Sequence, residues 1–166
     1  MPFTPFHLGP GLLVGLLLLR YVDFPTFLMA SVIVDVEPFL VLWWNLPYPL
    51  HGVFHSFVGG TLVALVLTVV MHKVRKSLSP ALLFFQINQA VSFKKIGLAA
   101  VSGIYLHILL DSLMHRDIQP FYPFDLNPFL GMTSNVGVYM LCMGSFMGGV
   151  VIYILKIVLS RRKGET

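Results

Sequence analysis

Charge is scarce in this chain. Only 11% of its 166 residues are Asp, Glu, Lys or Arg, against about 25% in soluble domains. Hydrophobic residues make up 57%, and the mean hydropathy is +0.84. A soluble fold of this length has too much exterior to hide that much apolar surface. The composition therefore excludes a soluble globular enzyme, a disordered chain and a basic nucleic-acid-binding domain. A single cysteine, Cys142, allows no internal disulfide. Its apolar neighbours in sequence give it a packing role. No long internal repeat is present. The solvent that fits this composition is the bilayer. The surplus of 11 Lys and Arg over 7 Asp and Glu, a net charge of +4, then reads as membrane topology.

Apolar sequence is what the chain has in abundance. Five segments stand out, at 8–21, 24–43, 52–71, 96–114 and 136–159. The first lacks the basic start and small-residue cleavage site of a signal peptide, and Arg20 follows its core. It reads as a short membrane helix that is kept. The stretch 80–93 is apolar but too short to cross, and reads as a short interfacial helix or a shallow re-entrant piece. Prolines 120, 123 and 128 punctuate a long loop over 115–135. The expected fold is all-α: a polytopic membrane helix bundle of about five transmembrane helices plus the interfacial helix, forming one transmembrane domain over 1–166. Lys73, Arg75 and Lys76, Lys94 and Lys95, and Arg161, Arg162 and Lys163 mark one side as cytoplasmic. The chain is then an integral protein of the cell or plasma membrane, with its amino terminus outside and its carboxyl terminus inside. Trp43, Trp44 and Tyr48 fit an aromatic belt at the outer interface.

On that topology the polar residues of the apolar segments converge. His7 precedes the first segment. Asp35 and Glu37 lie toward the outer end of the second, and His51 and His55 open the third. His107, Asp111 and His115 close the fourth, and Asp117 and Asp125 follow in the outer loop. Asp35 is eight residues before Trp43, about 12 Å along a helix. His51 and His55 are spaced i, i+4 and share a helix face. His107, Asp111 and His115 are spaced i, i+4, i+8, so all three can face one cavity. Asp35 and Glu37, at i, i+2, cannot share a face of a regular helix. Pro38 disfavours helix at Glu37, so a break there would aim both inward. A carboxylate inside a spanning segment is expensive unless paired or metal-bound. Histidine with Asp or Glu at such spacing is a ligand set for zinc or a similar divalent ion. The number of candidates suggests more than one ion, or one ion with carboxylates orienting its histidines.

At these residues the sequence resembles a family, the YdjM-like membrane-bound metal-dependent hydrolases. The matching pieces are Phe6-His7-Leu8-Gly9, Val34-Asp35-Val36-Glu37, His51-Gly52-Val53-Phe54-His55-Ser56 and His107-Ile108-Leu109-Leu110-Asp111-Ser112. In order and spacing they cover about two thirds of the chain. The family usually has Asp where this chain has Glu37, and often Arg where it has Gly52. The order of His and Asp also resembles, more loosely, the all-helical zinc phospholipase C and P1-type nuclease group, which implies phosphoester hydrolysis by analogy.

The expected function is that of a membrane-embedded metal-dependent hydrolase acting on a phosphoester or lipid headgroup at the outer face. Its metal ligands would be His7, Asp35, His51, His55, His107, Asp111 and His115. Glu37 or Asp117 would serve as base or orienting group, and Arg116 as the cation nearest a phosphate. The cofactor would be a divalent metal, zinc first. The partner would be a lipid or membrane-surface substrate, with no nucleic acid. The alternative is a divalent-metal-binding or transport protein without hydrolytic activity.

Overall fold

The structure, a computed structural model, describes residues 4–87 and 89–164, and among these residues the regular secondary structure is all helical. After a short 3-10 turn, Thr4–His7, come α1 (Leu8–Leu17), α2 (Phe24–Ala30) and α3 (Val36–Trp43). Then follow α4 (Phe57–Val74), the short α5 (Ser79–Phe84), α6 (Phe93–Ser112) and α7 (Asn135–Gly164). Four stretches are long and apolar enough to cross a bilayer: Phe24–Trp43, Phe57–Val74, Phe93–Ser112 and Asn135–Ser160. The polytopic all-α bundle expected from the sequence is thus what forms. Its first segment is the exception in length. Helix α1 has ten residues, about 15 Å of rise, half the thickness of a hydrocarbon core of about 30 Å. The interfacial segment also shrinks, to Ser79–Phe84.

Helix α6 is the central element. Ile96, Ala100, Ile104 and Ile108, one residue per turn, are fully buried against Ala64, Leu67 and Met71 of α4 and against Ala30 and Val34. Small residues let these helices approach closely. A Cβ on Gly60 of α4 would collide with Ile104 and Ile108, and one on Gly103 of α6 would collide with Ala30 and the Phe27 carbonyl. Helix α1 lies against α7 and α2.

Side-chain caps set where the helices begin. Ser56 Oγ accepts from the Gly59 amide at the start of α4, and Ser92 Oγ accepts from the Lys95 amide at the start of α6. Asp23 caps α2 by accepting from the Thr26 amide and hydroxyl. The same Asp23, 1% exposed, receives Nε of Arg75, the residue that follows α4, at 2.6 Å. Gln89 completes this end of the bundle. Its side chain donates to the Leu19 and Val22 carbonyls and accepts from the Phe24 amide. The Asp23–Arg75 pair is therefore a buried clamp that joins α2 and α4 at the end carrying Lys73, Lys76, Lys94 and Lys95.

The segment 24–43 breaks earlier than its proline implies. Helix α2 stops at Ala30, a 3-10 turn spans Ile33–Asp35, and α3 restarts at Val36. Pro38 sits in the first turn of α3, where its missing N–H would be unsatisfied in any case. The break therefore falls before Asp35 rather than at Glu37. His51 and His55 are also not on a helix face. His55 ends the 3-10 turn Val53–His55, and α4 begins two residues later. His115 lies beyond the end of α6, its amide bonded to the Asp111 carbonyl in one further turn.

Arg75→Met would leave Asp23 a buried charge without its partner. Loss of one member of a buried pair costs about 3–5 kcal/mol, so the thermal midpoint in detergent is expected to fall sharply. The double variant Asp23→Asn/Arg75→Met should recover much of that loss. A single variant as stable as the wild type would contradict the clamp.

Candidate metal centre

The helix ends opposite the Asp23–Arg75 clamp gather the histidines and acids. His7 leads into α1, Asp35 and Glu37 flank the start of α3, His51 and His55 precede α4, and His107 and Asp111 end α6. One donor atom from each of Asp35, His55, His107 and Asp111 lies within 4.8 Å of the other three. Asp111 Oδ2 is 3.1 Å from His107 Nε2 and 4.0 Å from His55 Nε2. Asp35 Oδ1 is 3.4 Å from His107 Nε2 and 3.8 Å from His55 Nε2. His55, His107 and Asp111 are buried and Asp35 is half-buried.

Each of the two imidazoles is turned by a bond on its far nitrogen. The Ser31 carbonyl, left free by the break after α2, accepts from His107 Nδ1 at 2.8 Å. Glu37 Oε2 accepts from His55 Nδ1 at 2.9 Å, while Glu37 Oε1 accepts from the Phe54 amide. A carbonyl or carboxylate oxygen only accepts, so each Nδ1 carries the proton. In the neutral ring Nε2 is then a lone pair aimed at the centre. Both Nε2 atoms are buried without a hydrogen-bond partner, and so is Asp35 Oδ2. Nitrogen and oxygen thus stand 3.1–4.0 Å apart without hydrogen-bond geometry. Ligands at about 2.0–2.1 Å from a tetrahedral ion lie about 3.3 Å from each other. The four donors fit a divalent cation in chemistry, in spacing and in their lack of other partners.

His7 and Asp117 are placed around this core. His7 Nε2 lies 3.0 Å from the other oxygen of Asp111, and its ring is tilted over His107 at 4.1 Å between centroids. His51 Nδ1 donates to Asp117 Oδ2 at 2.9 Å, repeating the His55–Glu37 arrangement. His51, His115 and Asp117 form a second cluster of donors within 4.8 Å of one another. His115 thus stands with His51 and Asp117, not in the four-donor set with His107 and Asp111. Arg116 is exposed, and no ion pair engages it among the described residues. Glu37, expected as base or orienting group, is occupied in orienting His55.

Environment sets the charges outside the spanning segments. Burial works against a charged His55, but the carboxylates of Asp35 and Glu37 outweigh it and hold its pKa above the ordinary value. A cation held there would displace that proton. Burial also opposes the Asp117 carboxylate, yet the bond from His51 keeps its pKa below the usual range. Burial leaves His115 with a lowered pKa.

Two contributors have no signal in the sequence. Ser31 acts through its backbone carbonyl, which any residue type would supply. Gly52 lets its neighbours approach, because a Cβ there would collide with the Tyr48 ring and Glu37 Oε1. Tyr48 fills that position, its hydroxyl accepting from the Val53 amide.

The model of the YdjM inner membrane protein family matches residues 1–163, and the chain belongs to that family. It is an integral membrane protein. No curated protein and no solved structure matches it.

Glu37→Gln retains the size of the side chain but weakens its hold on His55 Nδ1. Zinc affinity, measured in detergent by competition with a chromophoric chelator, is expected to drop about 10–100-fold. An unchanged affinity would show that His55 Nε2 is not a donor.

Proposed function

We propose that this YdjM-family protein is a membrane-embedded, metal-dependent hydrolase whose site takes a phosphoester or lipid headgroup from the outer leaflet. The observation that carries the reading is the convergence of Asp35, His55, His107 and Asp111, with both Nε2 atoms buried and unpartnered. These four residues would hold the ion, zinc first given two imidazole donors. A divalent ion there supplies Lewis-acid polarisation of a phosphoryl or carbonyl oxygen and makes water a better nucleophile near neutral pH. The protein's part is orientation and exclusion. Ser31 and Glu37 keep the Nδ1 protons of His107 and His55 away from the centre. The apolar layer of Ile104, Ile108, Ala64 and Val34 closes the centre from below.

That layer also favours hydrolysis over transport. A pathway for ions needs polar groups continuing through the bundle. Here the core between the centre and the Asp23–Arg75 clamp is built of Ala30, Ala64, Leu67, Ala100 and Ile104. The outer placement rests on the Lys and Arg residues at the opposite end. The exposed Trp43 and Trp44 at the end of α3 suit an interfacial belt, where a headgroup can be presented.

Zinc-loaded protein in sealed, right-side-out vesicles is expected to hydrolyse at least one member of a panel of phospholipid, isoprenyl-phosphate and ester substrates added from outside. Asp111→Asn should lower the rate more than about 100-fold. Asp125→Asn, in the outer loop, should change it by less than about twofold. No turnover by fully metallated protein would overturn the hydrolase reading. Asp111→Asn as active as wild type would place the site elsewhere.

A further inference from the structure

The four-donor centre supplies four protein ligands, so an ion there would meet water or substrate only by expanding its coordination beyond four. Ions that meet substrate keep a coordination position open, with about three protein ligands. The second cluster has that form. His51, His115 and Asp117 bring three donor atoms within 4.8 Å of one another. His51 is buried, His115 half-buried and Asp117 exposed. Asp117 Oδ2 accepts from His51 Nδ1 at 2.9 Å, so a cation would be met by Asp117 through Oδ1 and by His51 through Nε2; the His51 and His115 rings are 4.4 Å apart between centroids. His115 Nε2 is buried and has no hydrogen-bond partner. An orphaned imidazole nitrogen in a cluster that includes a carboxylate also marks the inner centre. A cavity of about 260 Å³ opens at this cluster, lined by His51 and Asp117 with Tyr48, Gly52, Val53 and Tyr122. The His51 ring stands edge-on to His55 at 4.8 Å, so the two clusters adjoin.

We infer that His51, His115 and Asp117 form a second divalent-cation site, open toward this cavity, and that its cation is the one that receives the anionic group of the substrate. This deepens the hydrolase reading and rests on the inner four-donor centre being a metal site. Having fewer protein donors and more exposure, the second site binds its ion more weakly and exchanges it faster than the inner centre.

Metal-depleted full-length protein in detergent, titrated with zinc and assayed for bound metal after gel filtration, separates the possibilities. Wild type is expected to bind two equivalents, one of them removed first by a competing chelator. His115→Gln and Asp117→Asn should each retain only the slow equivalent and elute as wild type does. Inorganic phosphate should slow loss of the faster equivalent from wild type and leave the remaining equivalent in His115→Gln unaffected. His107→Ala should lose the slow equivalent. A wild type with one equivalent, lost in His107→Ala and kept in His115→Gln, would overturn the second site and leave the inner centre standing. Two equivalents retained in both outer variants would also overturn it. No zinc bound by folded wild type would remove the inner centre as well.

Discussion

Imidazole nitrogens and carboxylate oxygens buried in an apolar bundle need partners, and at one end of this bundle several of them have none. Leaving a buried polar atom unsatisfied costs about 1–3 kcal/mol, and more for a charge. Seven such atoms from His7, Asp35, His55, His107, Asp111 and His115 are buried at one end of this bundle without a hydrogen bond. A fold that merely paired its histidines with its acids would turn N–H toward oxygen. In this one, Nδ1 of His107 and of His55 is tied outward, to Ser31 and Glu37, and Nε2 faces the carboxylates. A cation is a guest that satisfies lone pairs from both sides at once.

The rest of the molecule positions those lone pairs. The break after Ala30 frees the Ser31 carbonyl for His107 and turns Asp35 into the centre. Close contact at Gly103 draws α2 onto α6, so that this carbonyl reaches the ring. At the far end, Asp23, Arg75 and Gln89 tie α2, α4 and the segment before α6 together. That end is fully engaged in hydrogen bonds, whereas the other is left with unpaired acceptors. The contrast separates a polar cluster that holds the fold from one poised for a ligand.

Much of this was legible in the sequence, because membrane topology leaves few choices. Once basic residues fix one side, helices of about 20 residues carry His and Asp from four separate segments to the opposite face. Asp35, His55, His107 and Asp111 follow from that reasoning. The local details do not. Spacing i, i+4 suggested one helix face for His51 and His55, but Ser56 caps α4 after them and leaves both in the approach to the helix. The i, i+8 position of His115 falls past the last turn of α6, so it joins His51 and Asp117. Pro38 signalled a break without fixing its place, since a first helical turn tolerates it. The Asp23–Arg75 pair spans 52 residues, and no periodicity links two isolated charges so far apart.

The central claim is that His55 and His107 present Nε2 to a cation. X-ray absorption at the zinc edge, on protein loaded with one equivalent, addresses it directly. The account predicts a first shell of nitrogen and oxygen at about 2.0–2.1 Å, with outer-shell scattering from two imidazoles that disappears in His55→Ala/His107→Ala. A shell of oxygen ligands without imidazole scattering, or a spectrum unchanged in that double variant, would contradict it.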